Sequence, residues 1–356
     1  MATPLSGNLS TRMNNVLAPM PKFLQGYEEL YAQDPRSASL QWFKDAKFGL
    51  FIHYGLYSLH GIHPFEQWYN KTHVAEYEKL KNLFTAEKFD AEYIADLAVE
   101  LGMKYINLVT KHCEGFSLWD TKQSNFNSVN SPAGRDLVAE MAKACEKRNL
   151  GLFLFYEHGF DWRHPHGPRF KDWNVRLAEV DYEKPEPTYA TEEQYNFQNY
   201  VDFVYAQIEE LLTNYGAVAG VWLDGVRVPK SGDHTLFQLP ELYDMIHRLQ
   251  PHALVSYKYG VTNTEDFLAP EYVQLQYIKD RNHKPMEICS TLCEAWGHAE
   301  GAPRKDEWFV LSQMAGAHLH NANLLMNVGP LGDGSLHPDE EKALRKAAEI
   351  LKKQFV

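Results

Sequence analysis

Eight short runs of apolar, β-branched and aromatic residues punctuate the chain, at 48–54, 105–110, 151–156, 218–224, 253–258, 272–278, 287–292 and 322–328. Runs of this length and composition read as strands buried on both faces, because a strand with one wet face would alternate with polar positions. Between many of them apolar residues recur at helical spacing. Over 193–215, Phe197, Tyr200, Val201, Val204, Ile208 and Leu211 share one face, and 136–148 carries a similar pattern. Helices also fit before Leu101, at 240–250, at 306–319 and after Pro338, where acids fill the first turn and Lys352-Lys353 the last, as the helix dipole favours. Strand alternating with helix predicts a parallel sheet. The gaps 259–271 and 279–286 are too short for good helices. The simplest closure is therefore an α/β fold, a (β/α)8 TIM-like barrel with helices reduced or missing in its second half. Residues 39–356 are expected to form this one domain. Residues 1–38, with Pro4, Pro19, Pro21 and Pro35, are expected to form an irregular arm packed on its outside.

In such barrels the active site is built from residues at the C-terminal ends of the strands. Here those ends are His53, Lys111 with His112, Tyr156 with Glu157, Asp224, Lys258, Tyr277, Glu294 and Asn327. Polar groups close nearly every apolar run, which predicts a polar pocket in the barrel mouth. Asp224 stands out among them. It ends the run Gly220-Val221-Trp222-Leu223 and is followed at once by Gly225, so its carboxylate is poorly placed for packing and well placed to enter a cleft.

Composition narrows the chemistry. Apolar and charged fractions of 44% and 23% are those of an ordinary globular protein, but 13% aromatic residues is more than packing tends to need. Clustered aromatics are what sugar-binding clefts use. The 47 acids and 35 bases leave a net charge of −12 without a basic run, which argues against nucleic acid or an anionic membrane as partner. Cys113, Cys145, Cys289 and Cys293 read as free thiols, since the C-x3-C pair has no second half that would bind zinc. The strand-end residues include no H-x-H pair and no His/Asp set at ligand spacing, and the chain has no G-x-S-x-G elbow, Walker loop or Rossmann fingerprint, so neither metal nor other cofactor is expected. There is no apolar stretch of spanning length and no signal-peptide core at Met1. A soluble protein is expected, periplasmic or secreted if an export signal has been removed and cytoplasmic otherwise. What remains is carboxylates among aromatics, the equipment of a glycoside hydrolase, which needs one carboxylate as nucleophile or base and one carboxylic acid to protonate the leaving oxygen.

From Trp42 onward the chain resembles the family 29 α-L-fucosidases. The resemblance is carried by Trp42-Phe43-x3-Lys47-Phe48-Gly49-Leu50-Phe51-Ile52-His53-x-Gly55-Leu56-Tyr57-Ser58, by Trp68-Tyr69 and by Lys111-His112-x2-Gly115-Phe116. It continues through Val221-Trp222-x-Asp224-Gly225, Asp266-Phe267-x2-Pro270-Glu271, Trp296-Gly297 and Asn323-Leu324-Leu325-x-Asn327-Val328-Gly329-Pro330. It implies a retaining double displacement on a glycan or glycoside, with Asp224 as nucleophile and Glu271 as acid/base, Glu287, Glu294 and Glu157 standing in reserve. It further implies that His53, Trp68, His112, Tyr156 and Trp222 bind the sugar, and that Phe51 and Trp296 wall the methyl group at C6 of fucose. Many members carry a β-sandwich after the barrel. This chain stops one helix after its eighth run, so no such module is expected, and a homo-oligomer is one way to enclose the cleft.

Several departures from the family pattern fall among the site residues. Gln67 stands where Glu is usual, although Glu66 precedes it; Cys113 stands for a second histidine, Lys258 for an arginine, Tyr54 for a tryptophan and Glu157 for a small residue. A polar group left unpaired in such a pocket is worth roughly 1 to 3 kcal/mol, so three or four changes are enough to redirect specificity toward another L-sugar, a deoxy sugar or a modified fucose. Two rivals stay open at this point. One is a catalytically dead carbohydrate-binding barrel, which loss of the acid/base would produce; the other is a metal-dependent hydrolase, which activity in chelator would end.

Overall fold

The computed structural model describes residues 19–272 and 284–354. Its framework is a curled, wholly parallel sheet, an open half-barrel of seven strands: β1 (Phe48–Ile52), β2 (Tyr105–Lys111), β3 (Gly151–Glu157), β4 (Gly220–Asp224), β5 (Leu254–Tyr257), β6 (Glu287–Thr291) and β7 (Asn323–Val328). The order is β5-β4-β3-β2-β1-β7-β6. Seven of the eight runs thus form strands close to their expected bounds. The other, 272–278, lies beyond Tyr272 outside the described residues.

Immediately before that run, residues 266–272 link the two edges of the sheet. Asp266 N donates to Val255 O at 2.8 Å and Ala269 N to Lys258 O at 2.7 Å. On the opposite side Glu287 N donates to Leu268 O at 2.8 Å and Tyr272 N to Cys289 O at 2.7 Å. Pro270 has no N–H to give, which keeps this segment from forming a regular ladder.

Side chains alternate strictly between two buried environments, which is why the runs are continuously apolar. Leu50, Ile52, Ile106, Leu108, Leu152, Leu154, Val221 and Leu223 face the helices. Phe51, Val109, Phe153, Phe155, Trp222 and Leu325 fill the concave interior. The main helices are α1 (Pro35–Ala46), α2 (Ala91–Glu100), α3 (Leu137–Lys147), α4 (Phe197–Thr213), α5 (Leu239–Leu249), α6 (Glu307–Leu319) and α7 (Pro338–Gln354). Asp34, Asp90, Asp136, Asn196 and Asp306 cap α1, α2, α3, α4 and α6 by accepting from first-turn N–H groups, each cap being worth about 1 kcal/mol. Among the described residues no helix is long and apolar enough to cross a membrane.

Of the segment expected as an arm, the part from residue 19 on is described, and its Phe23, Leu24 and Tyr31 join Trp42 and Phe43 of α1 in one buried cluster with inward-facing strand residues. Trp42 stacks on Phe153 at 6.4 Å and Phe43 meets Phe267 at 4.3 Å, so these rings close the N-terminal end of the sheet. Gly151 makes room for them: a Cβ there would lie 2.4 Å from the Trp42 ring.

Candidate active site

At the opposite, C-terminal end of the strands lies a cavity of about 700 Å³, in the size range of small-molecule sites. Rings of Phe51, Phe65, Tyr69, Phe155, Trp222 and Trp296 form its walls; His53, His112, Glu157, Asp224, Lys258 and Glu271 supply polar groups.

Asp224 reaches the cavity because it follows inward-facing Trp222 by two residues on β4. Its Oδ1 accepts from Gly225 N at 2.6 Å, and its Oδ2 lies 3.3 Å from Lys258 Nζ. Gly225 is required for the turn that follows. Its φ is +79°, and a Cβ would lie 2.3 Å from Glu157 Oε1 and 2.5 Å from Gly159 Cα. Lys258 Nζ also bonds Glu271 Oε1, so one ammonium joins both carboxylates. The two oxygens therefore lie within about 6 Å of each other, an upper limit below the separation of inverting carboxyl pairs (about 6.5–9.5 Å).

Their surroundings differ. Burial raises Asp224 above the usual carboxylate range against the pull of Lys258, with Glu271 adding to the rise. For Glu271 the Lys258 charge is the largest influence and holds it below its ordinary value. Glu157, the partner of Asp224 in the β3–β4 register, is pushed well up by burial and by the Asp224 charge, and is held as the neutral acid. The side chains of Asp224 and Glu271 are 22% and 41% exposed, whereas Glu157 is 1% exposed. Glu271 stands at the mouth and Glu157 at the floor.

Asn327 orders the histidine side. Its Nδ2 donates to Thr291 Oγ1 at 2.9 Å and to Trp296 O at 2.6 Å, so its Oδ1, 2.6 Å from His53 Nδ1, must accept. Nδ1 of His53 therefore carries the proton. Burial lowers the His53 pKa to about 3, so the ring is neutral and Nε2 is left as an acceptor. His112 stacks in parallel on Phe155 at 5.7 Å and is likewise kept neutral by burial. Trp222 presents only its ring, since Nε1 donates to Glu287 Oε1 at 2.9 Å. Glu287 also accepts from Tyr105 OH at 2.5 Å, which ties this reserve acid to a structural post below the cavity. Glu294, another reserve, is exposed and not part of the lining.

Of the expected site residues, Asp224, Glu271, Lys258, His53, His112, Trp222, Phe51 and Trp296 meet at this cavity; Tyr156, Trp68, Glu66, Gln67 and Cys113 are not part of its lining. Tyr156 falls on the outer face of β3, since Phe155 and Glu157 point inward, and its OH donates to Gln207 Oε1 on α4 at 2.7 Å. Trp68 donates to the carbonyls of Arg176 and Glu179, Glu66 holds His60 Nδ1 at 2.8 Å, and Gln67 sits by Thr72 and Tyr182. Cys113 is buried behind Glu157, with Sγ 3.6 Å from Oε2. Phe65 and Tyr69 line the cavity in place of Trp68. They are four residues apart, Phe65 at the N-cap and Tyr69 at the end of the turn Glu66–Tyr69, and so share one side.

Tyr156→Phe tests the outward placement. It is expected to lower unfolding free energy by about 1–3 kcal/mol through the unpaired Gln207, which denaturant unfolding measures.

Comparisons with known proteins point to one family. A family model described as alpha-L-fucosidase matches residues 20–354. An α-L-fucosidase of Dictyostelium discoideum is 30% identical over 209 residues, 52% of this chain and 41% of its own. A plasma α-L-fucosidase of Pongo abelii is 28% identical over 341 residues, 87% of this chain and 67% of its own. The chain thus spans between two fifths and two thirds of these relatives' lengths. Among solved structures, α-L-fucosidase AlfC from Lactobacillus casei in complex with its α-L-fucose product is similar at a TM-score of 0.78 and 28% identity, over 89% of this chain and 99% of that one.

Proposed function

The chain belongs to the α-L-fucosidase family, and from that premise we propose that it is a retaining exo-glycoside hydrolase releasing α-L-fucose or a closely related sugar. One observation carries the proposal: Asp224 and Glu271 share one ammonium at the open end of an aromatic-walled cleft. Asp224 attacks the anomeric carbon while the bond to the leaving oxygen breaks and Glu271 gives that oxygen its proton. Glu271 then takes a proton from water, which attacks the same carbon, frees Asp224 and releases the sugar with its configuration retained. Its exposure at the mouth, where the leaving group must depart, favours Glu271 over Glu157 at the floor. On the same reading, residues 266–272 supply the eighth stave of a (β/α)8 barrel and carry the acid at its end.

Lys258 sets the timing. In the unliganded cleft it holds Glu271 as a carboxylate, so Glu271 has to take up a proton before it can give one to the leaving oxygen. Replacing Lys258 by Met removes the cation from both carboxyls, and both pKa values rise. The acid limb of kcat/KM, which needs ionised Asp224, and the alkaline limb, which needs protonated Glu271, are therefore both expected to move to higher pH. A pH–rate profile measures the shift.

A redirected specificity now rests on Lys258 and Glu157, which line the cleft, while Gln67 and Cys113 do not. Hydrolysis of an aryl α-L-fucoside followed by proton NMR tests the function. The α-anomer of fucose is expected as first product. A β-anomer overturns retention, inactivity on fucosides with turnover of another L-sugar supports redirection, and inactivity on a panel of aryl glycosides supports a dead sugar-binding barrel.

A further inference from the structure

Behind Asp224 sits a group of side chains for which the hydrolytic cycle has no full use. His112, Cys113 and Glu157 bring a ring nitrogen, the thiol sulfur and a carboxyl oxygen within 4.8 Å of one another, and all three residues are buried. Glu157 Oε2 lies beside Cys113 Sγ, and Oε1 has no hydrogen-bond partner although it is shut off from solvent. An unpaired buried oxygen is costly. A thiol, an imidazole and an open carboxyl oxygen that converge at a buried point fit a ligand better than they fit packing.

We propose that His112, Cys113 and Glu157 form a binding site for a thiophilic divalent cation, with zinc as the ion that fits best, and that its occupancy switches hydrolysis off. Sulfur, nitrogen and oxygen donors together are what zinc accepts, and three protein ligands with one open position are a common arrangement for it. A thiolate and a carboxylate neutralise the double charge; each gives up one proton to solvent as the ion enters. The nearby cations are already matched, Lys111 by Asp161 at 3.0 Å and Lys258 by Asp224 and Glu271. His112 and Glu157 also line the cleft, so the open position faces the space the sugar needs. Asp224 is the cross-strand neighbour of Glu157. A bound ion draws its carboxylate away from the anomeric carbon.

Binding stands independently of the hydrolytic reading; inhibition rests on it. The chelator-treated full chain is titrated with Co²⁺, whose thiolate charge-transfer absorption reports a sulfur ligand. One equivalent is expected to produce the band, and Zn²⁺ to displace it. Cys113→Ser is expected to abolish the band and Glu157→Gln to weaken Co²⁺ binding at least tenfold, with far-UV circular dichroism checking that each variant is folded. No band in the wild type overturns the site, as does a band that survives in Cys113→Ser. If Cys113→Ser fails to fold, Glu157→Gln decides, and undiminished affinity there overturns it. Zn²⁺ is expected to lower aryl fucoside turnover at least tenfold, reversibly by chelator and with the same midpoint as Co²⁺ displacement. Displacement without loss of turnover overturns the placement beside Asp224. A protein inactive on every glycoside, yet with the band present, loses the hydrolytic reading and keeps the site.

Discussion

Asp224→Ala is expected to lose at least about a thousandfold in turnover of an aryl α-L-fucoside, a barrier increase of about 4 kcal/mol, and to regain part of it in azide. The loss follows from removing the only route to the glycosyl-enzyme; the cleft itself survives. Among the described residues the Asp224 side chain bonds Gly225 N and Lys258, and Lys258 keeps Glu271 as its partner, so the variant should unfold close to the wild-type midpoint. Azide enters the vacated space and attacks from the face the carboxylate used. The product is then β-fucosyl azide, inverted relative to substrate, and NMR distinguishes it. Unchanged turnover, or an α-azide, removes Asp224 from the nucleophile's role.

Much of this site is legible in the sequence for one physical reason. A strand buried on both faces is a continuous apolar run, and the residue that ends it on the inner side must be polar if a cleft lies there. Asp224 follows Trp222 by two, so both point inward, and the glycine after it marks the left-handed turn that brings β4 against Gly159. The same parity places Tyr156 outside, between Phe155 and Glu157. Strand end alone does not define a site residue; strand end and face together do. Parity is harder to follow on β2, whose register with β3 shifts between Val109 and Lys111, and such an irregularity leaves no periodic trace. Trp68 and Tyr69 ride on a helical turn of four residues, too short for a hydrophobic face to show in spacing, so the ring that lines the cavity was not separable from its neighbour. The link at 266–272 escaped for a third reason. Its hydrogen bonds go to β5 on one side and β6 on the other around Pro270, a pattern that propensity and alternation do not encode.

Glu271→Ala discriminates the acid/base by leaving group. Departure of 4-nitrophenolate needs little protonation, so the first step with that aryl fucoside is expected to survive within about a hundredfold, while a fucosyl bond to a sugar alcohol loses at least about a thousandfold. Water, no longer activated, is then slow to release the glycosyl-enzyme. A burst of nitrophenol follows, and azide speeds the second step to give α-fucosyl azide, the anomer opposite to that expected from Asp224→Ala. Lys258 is left with Asp224 alone, so the alkaline limb that reports Glu271 should vanish while the acid limb moves down. Equal losses for both leaving groups, or an alkaline limb that persists, move the role elsewhere. Glu157 is the next carboxyl in the cleft, but burial and the Asp224 charge push its pKa well up, and as the cross-strand neighbour of Asp224 it would act from the nucleophile's side of a bound sugar. An acid placed there would have to protonate a leaving group departing from the opposite face, and that geometry is why Glu271 is expected to show the burst.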